Sequence, residues 1–323
     1  KNCFGNIKFN KKMKIFKPKF WMLRHISLFA IFLLPVSLLI QFLLLMKKFL
    51  SKQVTFPVPV FCVGNIFLGG TGKTPISIKI SKILKKLKKK PAIIKKFYKN
   101  QFDEVQLIKS KVNSIFLNSS REKAINSAIK KNFDVIIMDD GFQDYTIKKD
   151  LNILCFNQNQ QLGNGLTIPS GPLRENFKSI KNSNIIIING NPLKEFEDKI
   201  EKISKEVKIF YCKYIPLNIS KFRNKKLIAF AGIGNPNNFF DLLKKNKLKV
   251  TKKIYYPDHY IYSKHDIENL LIIAKKENLS LITTEKDYFR LKKLGYQKKV
   301  SFLSVKVKFN KENELINELK KYL

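Results

Sequence analysis

The stretch Pro59-Val-Phe-Cys-Val-Gly-Asn-Ile-Phe-Leu-Gly-Gly-Thr-Gly-Lys-Thr-Pro75 restricts this chain more than any other. Val58 to Val63 is β-branched and apolar and predicts a buried strand. Gly69, Gly70 and Gly72, with Thr71 among them, then let backbone N–H groups turn inward around an anion, where a Cβ would obstruct. Lys73 can reach the β- and γ-phosphates of a nucleotide, and the Thr74 hydroxyl can ligate Mg²⁺. Pro75 suits the start of a helix, whose positive end faces the phosphates. An ordinary glycine-rich turn gives no reason for the Lys-Thr pair. The strict phosphate-loop pattern would put glycine at position 67, where Phe67 stands.

A second signal is Phe133-Asp-Val-Ile-Ile-Met-Asp-Asp-Gly-Phe-Gln143. Val135 to Met138 predicts a strand with Asp139 and Asp140 at its C-terminal end, where ligands bind in open α/β sheets. A carboxylate there can bind the Mg²⁺ that bridges nucleotide phosphates, the Walker B role. A merely solvated strand end does not favour two adjacent acids followed by Gly-Phe-Gln. Further on, Gly163-Asn-Gly-Leu-Thr-Ile-Pro-Ser-Gly-Pro-Leu-Arg-Glu175 is a loop dense in Gly and Pro. Beside a nucleotide site, Arg174 could stabilise phosphate charge and Glu175 could add a metal contact.

The remaining pattern alternates strands and helices. Ile76 to Leu87 has helical spacing, and Ser119 or Ser120 can cap a helix running to Lys131. Further strands are expected at Ala92–Ile94, Leu151–Phe156, Asn184–Ile188, Lys208–Tyr214, Leu227–Phe230, Val250–Tyr255 and Leu279–Ile282. Asn235 suits a helix N-cap, with Pro236 behind it. The segment Gln101 to Glu104 carries Asp103 and Glu104. His259 sits just past a strand end, next to Asp258, which could fix its tautomer. His25 flanks the apolar N-terminal run, and His265 lies in the first turn of a helix expected after Ser263.

At 323 residues the chain is long enough for two domains. Lys plus Arg number 63 against 24 acids, a formal charge of +39. That excess fits nucleic acid, an anionic membrane surface or acidic substrates. It equally fits A/T-rich coding, because the lysines are spread over the whole chain, so charge alone decides nothing. Cys3, Cys62, Cys155 and Cys212 form no C-x-x-C pair and read as thiols of a reducing compartment, without a zinc site.

Residues 1–25 are basic, with Lys11, Lys12, Lys14, Lys17, Lys19 and Arg24, and Met13 is a candidate natural start. Ile26 to Met46 carries no charge. As a helix this run would be about 30 Å long, near the thickness of a bilayer core. Ser27, Pro35, Ser37 and Gln41 dilute it. A spanning or deeply embedded membrane helix is the expectation. The alternatives are a helix lying in the interface or packed on the protein itself. Lys47, Lys48 and Lys52 would meet anionic headgroups.

Taken together, these motifs resemble the tetraacyldisaccharide 4'-kinase family, the membrane-associated lipid A kinases. Lys17-Pro-Lys-Phe-Trp21 precedes the apolar run. Pro-Val-Phe-Cys-Val-Gly-Asn, Gly-Gly-Thr-Gly-Lys-Thr-Pro, Asp-Asp-Gly-Phe-Gln and Gly-Pro-Leu-Arg-Glu follow in order, then Phe230-Ala-Gly-Ile-Gly-Asn-Pro236, Pro257-Asp-His259 and Thr283-Thr-Glu-Lys-Asp287. The resemblance implies an α/β fold. Residues 1–50 would form a basic N-terminus with a membrane helix, 51–222 a P-loop NTPase-like, Rossmann-type parallel-sheet lobe, and 223–323 a smaller α/β lobe. The active site would lie between the lobes. It implies transfer of the ATP γ-phosphate to the 4'-hydroxyl of an acylated glucosamine disaccharide phosphate, at the cytoplasmic face of the bacterial inner membrane, by a monomer. Lys73 and Thr74 would hold phosphate and Mg²⁺, and Asp139, Asp140 and Glu175 would surround the metal. Asp103 would take the hydroxyl proton, supported by His259.

Departures accompany the match. Lys96-Phe-Tyr-Lys99 stands where the family usually has Arg-Gly-Tyr-Gly, the loop to Asp103 is short, and Phe102 replaces a glycine. Asp144 stands in place of a histidine, Tyr260 of histidine or phenylalanine, and Asn176 of proline. Two rivals share part of the pattern. A membrane-associated P-loop ATPase or GTPase switch accounts for the first two motifs but not for Gly-Pro-Leu-Arg-Glu. A nucleic-acid binder accounts for the charge but has no recognisable binding motif.

Overall fold

The structure, a computed structural model, describes residues 17–98, 101–292 and 294–323. Cys3, Lys11, Lys12, Met13, Lys14 and Lys99 lie outside the described residues. The chain divides into two units. One comprises Pro18–Leu217 with Val305–Leu323, and the other contains Asn218–Ser304.

In the first unit the elements are α1 (Leu28–Phe32), α2 (Leu34–Leu50), β1 (Val60–Gly64), α3 (Lys73–Lys86), β2 (Pro91–Lys96) and α4 (Phe102–Lys111). Then come β3 (Ile115–Asn118), α5 (Arg121–Ile129), β4 (Val135–Asp139), β5 (Leu151–Asn157), β6 (Ile185–Asn189), α6 (Lys194–Glu201) and β7 (Lys208–Pro216). The second unit holds β8 (Lys226–Ala231), α7 (Pro236–Lys245), β9 (Lys249–Tyr255), α8 (Lys264–Lys276), β10 (Ser280–Thr284), α9 (Glu285–Lys292) and β11 (Ser301–Leu303). The chain then returns to the first unit as β12 (Val305–Phe309) and α10 (Glu312–Lys320).

The first unit is built on an eight-stranded sheet ordered β12-β7-β6-β5-β1-β4-β2-β3. Every pairing is parallel except that of β12 with β7. β1 is central, and all its residues are buried, as a strand covered on both faces must be. Alternate side chains enter opposite cores. Phe61 and Val63 pack with Ile76, Ile80 and Leu84 of α3, whereas Val60 and Cys62 pack with Ile136, Met138, Ala124 and Ile125. From β1 the chain first builds β2 and β3 to one side, then returns to fill β4 and moves to the other side for β5 to β7. The C-terminal ends of β1 and β4 therefore stand at the reversal, where ligands bind in such sheets. Burial pushes the Cys62 thiol up to about 11. Cys62, Cys155 and Cys212 are all buried free thiols.

Two expectations change. The second lobe does not run from 223 to 323, because β12 pairs back onto β7 from Val305↔Pro216 to Phe309↔Cys212. The expected spanning helix is also absent: no helix among the described residues is long and apolar enough to cross a membrane. The residues that dilute the run are the cause. Ser27 caps α1, accepting from the Ala30 amide at 3.3 Å. Pro35 lies in the first turn of α2 and has no N–H with which to continue the ladder of α1. The buried Ser37 hydroxyl donates to Thr167 O at 3.0 Å and accepts from Ser170 N at 3.0 Å. One face of this helix pair thus packs on the Gly163–Glu175 loop, while Leu28, Phe32, Leu38, Phe42, Leu45 and Phe49 are exposed.

The second unit has a four-stranded parallel sheet, β11-β10-β8-β9, with its own core of Phe230, Tyr256, Tyr262, Ile267, Leu270 and Leu291. Ser263 and Asp266 form a capping box at the start of α8.

Candidate active site

The turn after β1 is a backbone cradle. Gly69, Gly70 and Gly72 have φ of 71°, 75° and 89°, the left-handed region that glycine adopts without strain. Gly72 is the N-cap of α3, and a Cβ there would stand 2.0 Å from the Tyr214 hydroxyl. Phe67 needs no such freedom. It is fully buried, and its backbone bridges to Leu173, so the strict pattern's glycine is replaced by a core side chain. Pro75 lies in the first turn of α3, where no helical partner for its N–H is lost.

Asn65 ties this turn together. Its buried amide donates to Phe67 O and, at 2.8 Å, to Thr71 Oγ1, and its Oδ1 accepts from Lys73 Nζ at 2.9 Å. Lys73 Nζ also lies 2.9 Å from Asp140 Oδ1. Arg174 Nη1 reaches the same Asp140 oxygen at 2.9 Å. Arg174 is carried there by the Gly163–Glu175 loop, whose backbone joins the cradle through Leu68 N to Pro172 O at 2.8 Å and Arg174 N to Ile66 O at 2.6 Å. Burial pulls the Asp140 carboxyl upward, but Lys73 and Arg174 outweigh it and hold it below the usual carboxylate range.

Asp139 is wholly buried and saturated with donors. Thr74 Oγ1 gives 3.0 Å, Ser77 Oγ 2.9 Å and Lys95 Nζ 2.9 Å. Lys95 also pairs with Glu104 of α4 at 2.6 Å. Burial pushes the Lys95 ammonium down, yet Asp139 and Glu104 outweigh that and lift it above the ordinary lysine range. Asp103, beside Glu104 in the first turn of α4, is 1% exposed. Lys95, Lys96, Arg121, Asp139, Asp140 and Arg174 contribute to a cavity of about 510 Å³ at these strand ends.

Glu175 is turned elsewhere. It accepts from Gln143 Nε2 at 2.8 Å and from the Tyr145 hydroxyl. Burial raises its carboxyl, and these two hydrogen bonds oppose that only in part. Among the described residues no group of three or more His, Cys, Asp or Glu side chains is placed to hold a metal. The expected set of Asp139, Asp140 and Glu175 with Thr74 is thus not gathered into one cage. Asp144, the departure from histidine, is the ion partner of Arg121 at 2.8 Å, and Arg121 also donates to Asp140 O at 2.7 Å.

In the second unit His259 has φ 56°, and its N–H donates to Gly232 O at 3.1 Å and to Asp258 Oδ1 at 3.0 Å. Its Nε2 lies 3.5 Å from Lys286 Nζ. Asp287 of the Thr283–Asp287 motif is wholly buried. It accepts from Gly232 N at 3.1 Å, Tyr262 at 3.0 Å and Arg290 at 2.7 Å, while its own N–H donates to Thr284 Oγ1 at 3.1 Å. Thr284 thus caps α9, and the acid shapes the turn after β8.

Sequence reasoning missed Asn65, Ser77, Lys95, Arg121 and Gln143 as members of the site.

Comparison with known proteins points to one family. The family model described as tetraacyldisaccharide-1-P 4'-kinase (LpxK) matches residues 29–323. Tetraacyldisaccharide 4'-kinase of Pelagibacter ubique is 44% identical over 310 residues, covering 95% of this chain and 98% of that one. The enzyme of the same name from Rickettsia peacockii is 32% identical over 325 residues, covering 95% and 98%. Among solved structures, the "apo" form of LpxK from Aquifex aeolicus in complex with ATP has the same fold. Its TM-score is 0.70 at 24% identity, covering 91% of this chain and 99% of that one.

Proposed function

The chain belongs to the tetraacyldisaccharide-1-P 4'-kinase family, and from that premise we propose that Lys73, Thr74 and Arg174 hold the nucleotide phosphates while Asp103 receives the acceptor's proton. The reaction is transfer of the ATP γ-phosphate to the 4'-hydroxyl of a tetraacylated glucosamine disaccharide 1-phosphate, in lipid A biosynthesis. The convergence of Lys73 and Arg174 on one oxygen of Asp140, beside the N-terminus of α3, carries the reading. Two cations stand where a polyanion meets a helix dipole and a ring of inward N–H groups.

Thr74, Asp139 and Asp140 would hold Mg²⁺. The Thr74 hydroxyl and the Asp139 carboxylate already meet at 3.0 Å. Mg²⁺ takes one or two carboxylates and completes its shell with phosphate and water, so a full protein cage is not required. When bound it would neutralise charge on the β- and γ-phosphates. Glu175, held by Gln143 and Tyr145, is assigned to orienting Gln143, whose amide also donates to Asn65 O at 3.0 Å. Asp103 as base is worth about 10²- to 10⁴-fold.

The exposed apolar face of α1 and α2, followed by Lys47, Lys48 and Lys52, suits a helix lying in the interface of an anionic bilayer. Such a helix would keep the enzyme where a greasy acceptor resides, on the ATP-containing side of the inner membrane. Co-sedimentation with phosphatidylglycerol vesicles tests it: Phe32→Ser with Phe49→Ser should leave the protein in the supernatant, and unchanged pelleting would refute the face. Transfer itself is tested by thin-layer detection of label passing from γ-labelled ATP to the disaccharide. Labelled acceptor supports the kinase, and release of inorganic phosphate independent of acceptor supports the ATPase rival.

A further inference from the structure

Lys95 is a charged side chain inside a core. It is 3% exposed, and its Nζ lies 2.9 Å from Asp139 Oδ2 and 2.6 Å from Glu104 Oε2. Its backbone is fixed by the sheet, since β2 pairs with β4 up to Ile94↔Met138 and with β3 at Lys95↔Leu117. Asp139 is fixed in turn by Thr74 and Ser77 of α3. α4 is anchored differently. Its N-cap residue, Gln101, makes no side-chain capping bond, and the side chains it buries are Asp103, Val105 and Ile108. The Lys95–Glu104 pair is therefore a polar tie at the very turn that carries Asp103.

We propose that Lys95 is a positioning residue of the transfer reaction, fastening the first turn of α4, with Asp103, to the metal-side carboxylate Asp139. The catalytic half of this rests on the kinase reading above; the fastening half does not. One ammonium bonded to Asp139 Oδ2 at 2.9 Å and to Glu104 Oε2 at 2.6 Å sets the separation of the two acids, and removing it leaves two like charges facing each other in a poorly hydrated site. Asp103 is the neighbour of Glu104, so a rotation or lift of this turn moves the proton acceptor directly. Misplacement on the scale of about 1 Å costs roughly 10²-fold in rate.

The test compares Lys95→Met, Lys95→Arg and Glu104→Gln in the full chain. Two readouts are needed: amide hydrogen exchange across Phe102–Lys111 without nucleotide, and steady-state kinetics for ATP. Glu104→Gln keeps the buried Lys95–Asp139 pair, so it separates fastening from simple neutralisation of Asp139. The expected result is faster exchange in α4 but not in β4 or α3. Turnover falls about 10²-fold in Lys95→Met and about tenfold in Glu104→Gln, with KM for ATP changed less than about threefold. Lys95→Arg should restore most of the loss. Should Lys95→Met fail to fold, Glu104→Gln decides alone. Unchanged α4 exchange in Glu104→Gln overturns the proposal, as does faster exchange with wild-type turnover, or a KM that rises in step with the loss of kcat. A wild-type chain that transfers no phosphate overturns the kinase reading and the catalytic half with it, while the exchange result still decides the fastening.

Discussion

β1 and β2 flank β4 in the large sheet, and each delivers a lysine to an acid at the end of β4. Past β1 the lysine rides on a glycine turn. Lys73 keeps 13% of its side chain exposed, and its partner Asp140 keeps 23%. At β2 the lysine belongs to the strand itself, and Lys95 and Asp139 are 4% and 0% exposed. The first pair is the one that could open: a phosphate arriving at the cradle would give Lys73 a stronger anion, while Arg174 stays on Asp140. The second cannot open without leaving a charge in the core, which is far costlier than making the pair was favourable. The same residue types thus give a cation that changes partner and a cation that stays.

That difference gives its sharpest prediction at Lys73. Lys73→Ala should lower phosphate transfer at least about 10³-fold, some 4 kcal/mol in the barrier. Its melting temperature should stay near that of the wild type, because Arg174 remains on the same Asp140 oxygen at 2.9 Å. Label transfer and thermal melting measure both, and near-normal transfer would erase the contrast. Next in size is Phe67→Gly, which restores the strict phosphate-loop spelling. It should destabilise the fold by about 3 kcal/mol or more, from the cavity left by a fully buried ring, with no gain in ATP affinity. Denaturant unfolding decides this, and a tighter nucleotide complex would mean the cradle is not already complete. Gly72→Ala should cost about 1–3 kcal/mol, from the left-handed φ and the approach to Tyr214. Adding Tyr214→Phe should recover only the part due to that approach.

The smallest effect concerns Glu175. Its carboxyl is raised in the fold, so ionisation costs stability above its folded value and nothing below the ordinary glutamate value. Glu175→Gln should therefore raise the melting temperature at pH 7, by about 1–3 °C. The gain should fade as pH falls into the ordinary carboxylate range. A gain that grew toward acid pH would contradict the stated direction.

The two strand ends also differ in how readable they were. A turn made of backbone N–H groups needs residues at positive φ, so Gly69, Gly70 and Gly72 had to appear as letters, and the cradle was legible. An ionic tie needs one lysine. Among 63 basic residues, and next to Lys96, Lys95 did not stand out. The N-terminal run shows a related limit. Apolarity reads alike whether a bilayer or the protein covers it. Ser27, Pro35 and Ser37, which only diluted the run in sequence, are a cap, a break and a docking hydroxyl in the fold. β12 escaped notice because it is five residues long and its partner β7 lies far upstream, a pairing that no local period encodes.

The central claim is that the β1 turn grips a nucleotide and that Lys73 exchanges Asp140 for its phosphate. A crystal structure with a non-hydrolysable ATP analogue and Mg²⁺ tests this directly. The account predicts β- and γ-phosphates inside Gly69–Thr74, Lys73 Nζ moved onto a phosphate oxygen, and the Lys95–Asp139 pair still closed. A nucleotide bound elsewhere, with Lys73 still on Asp140, would contradict it.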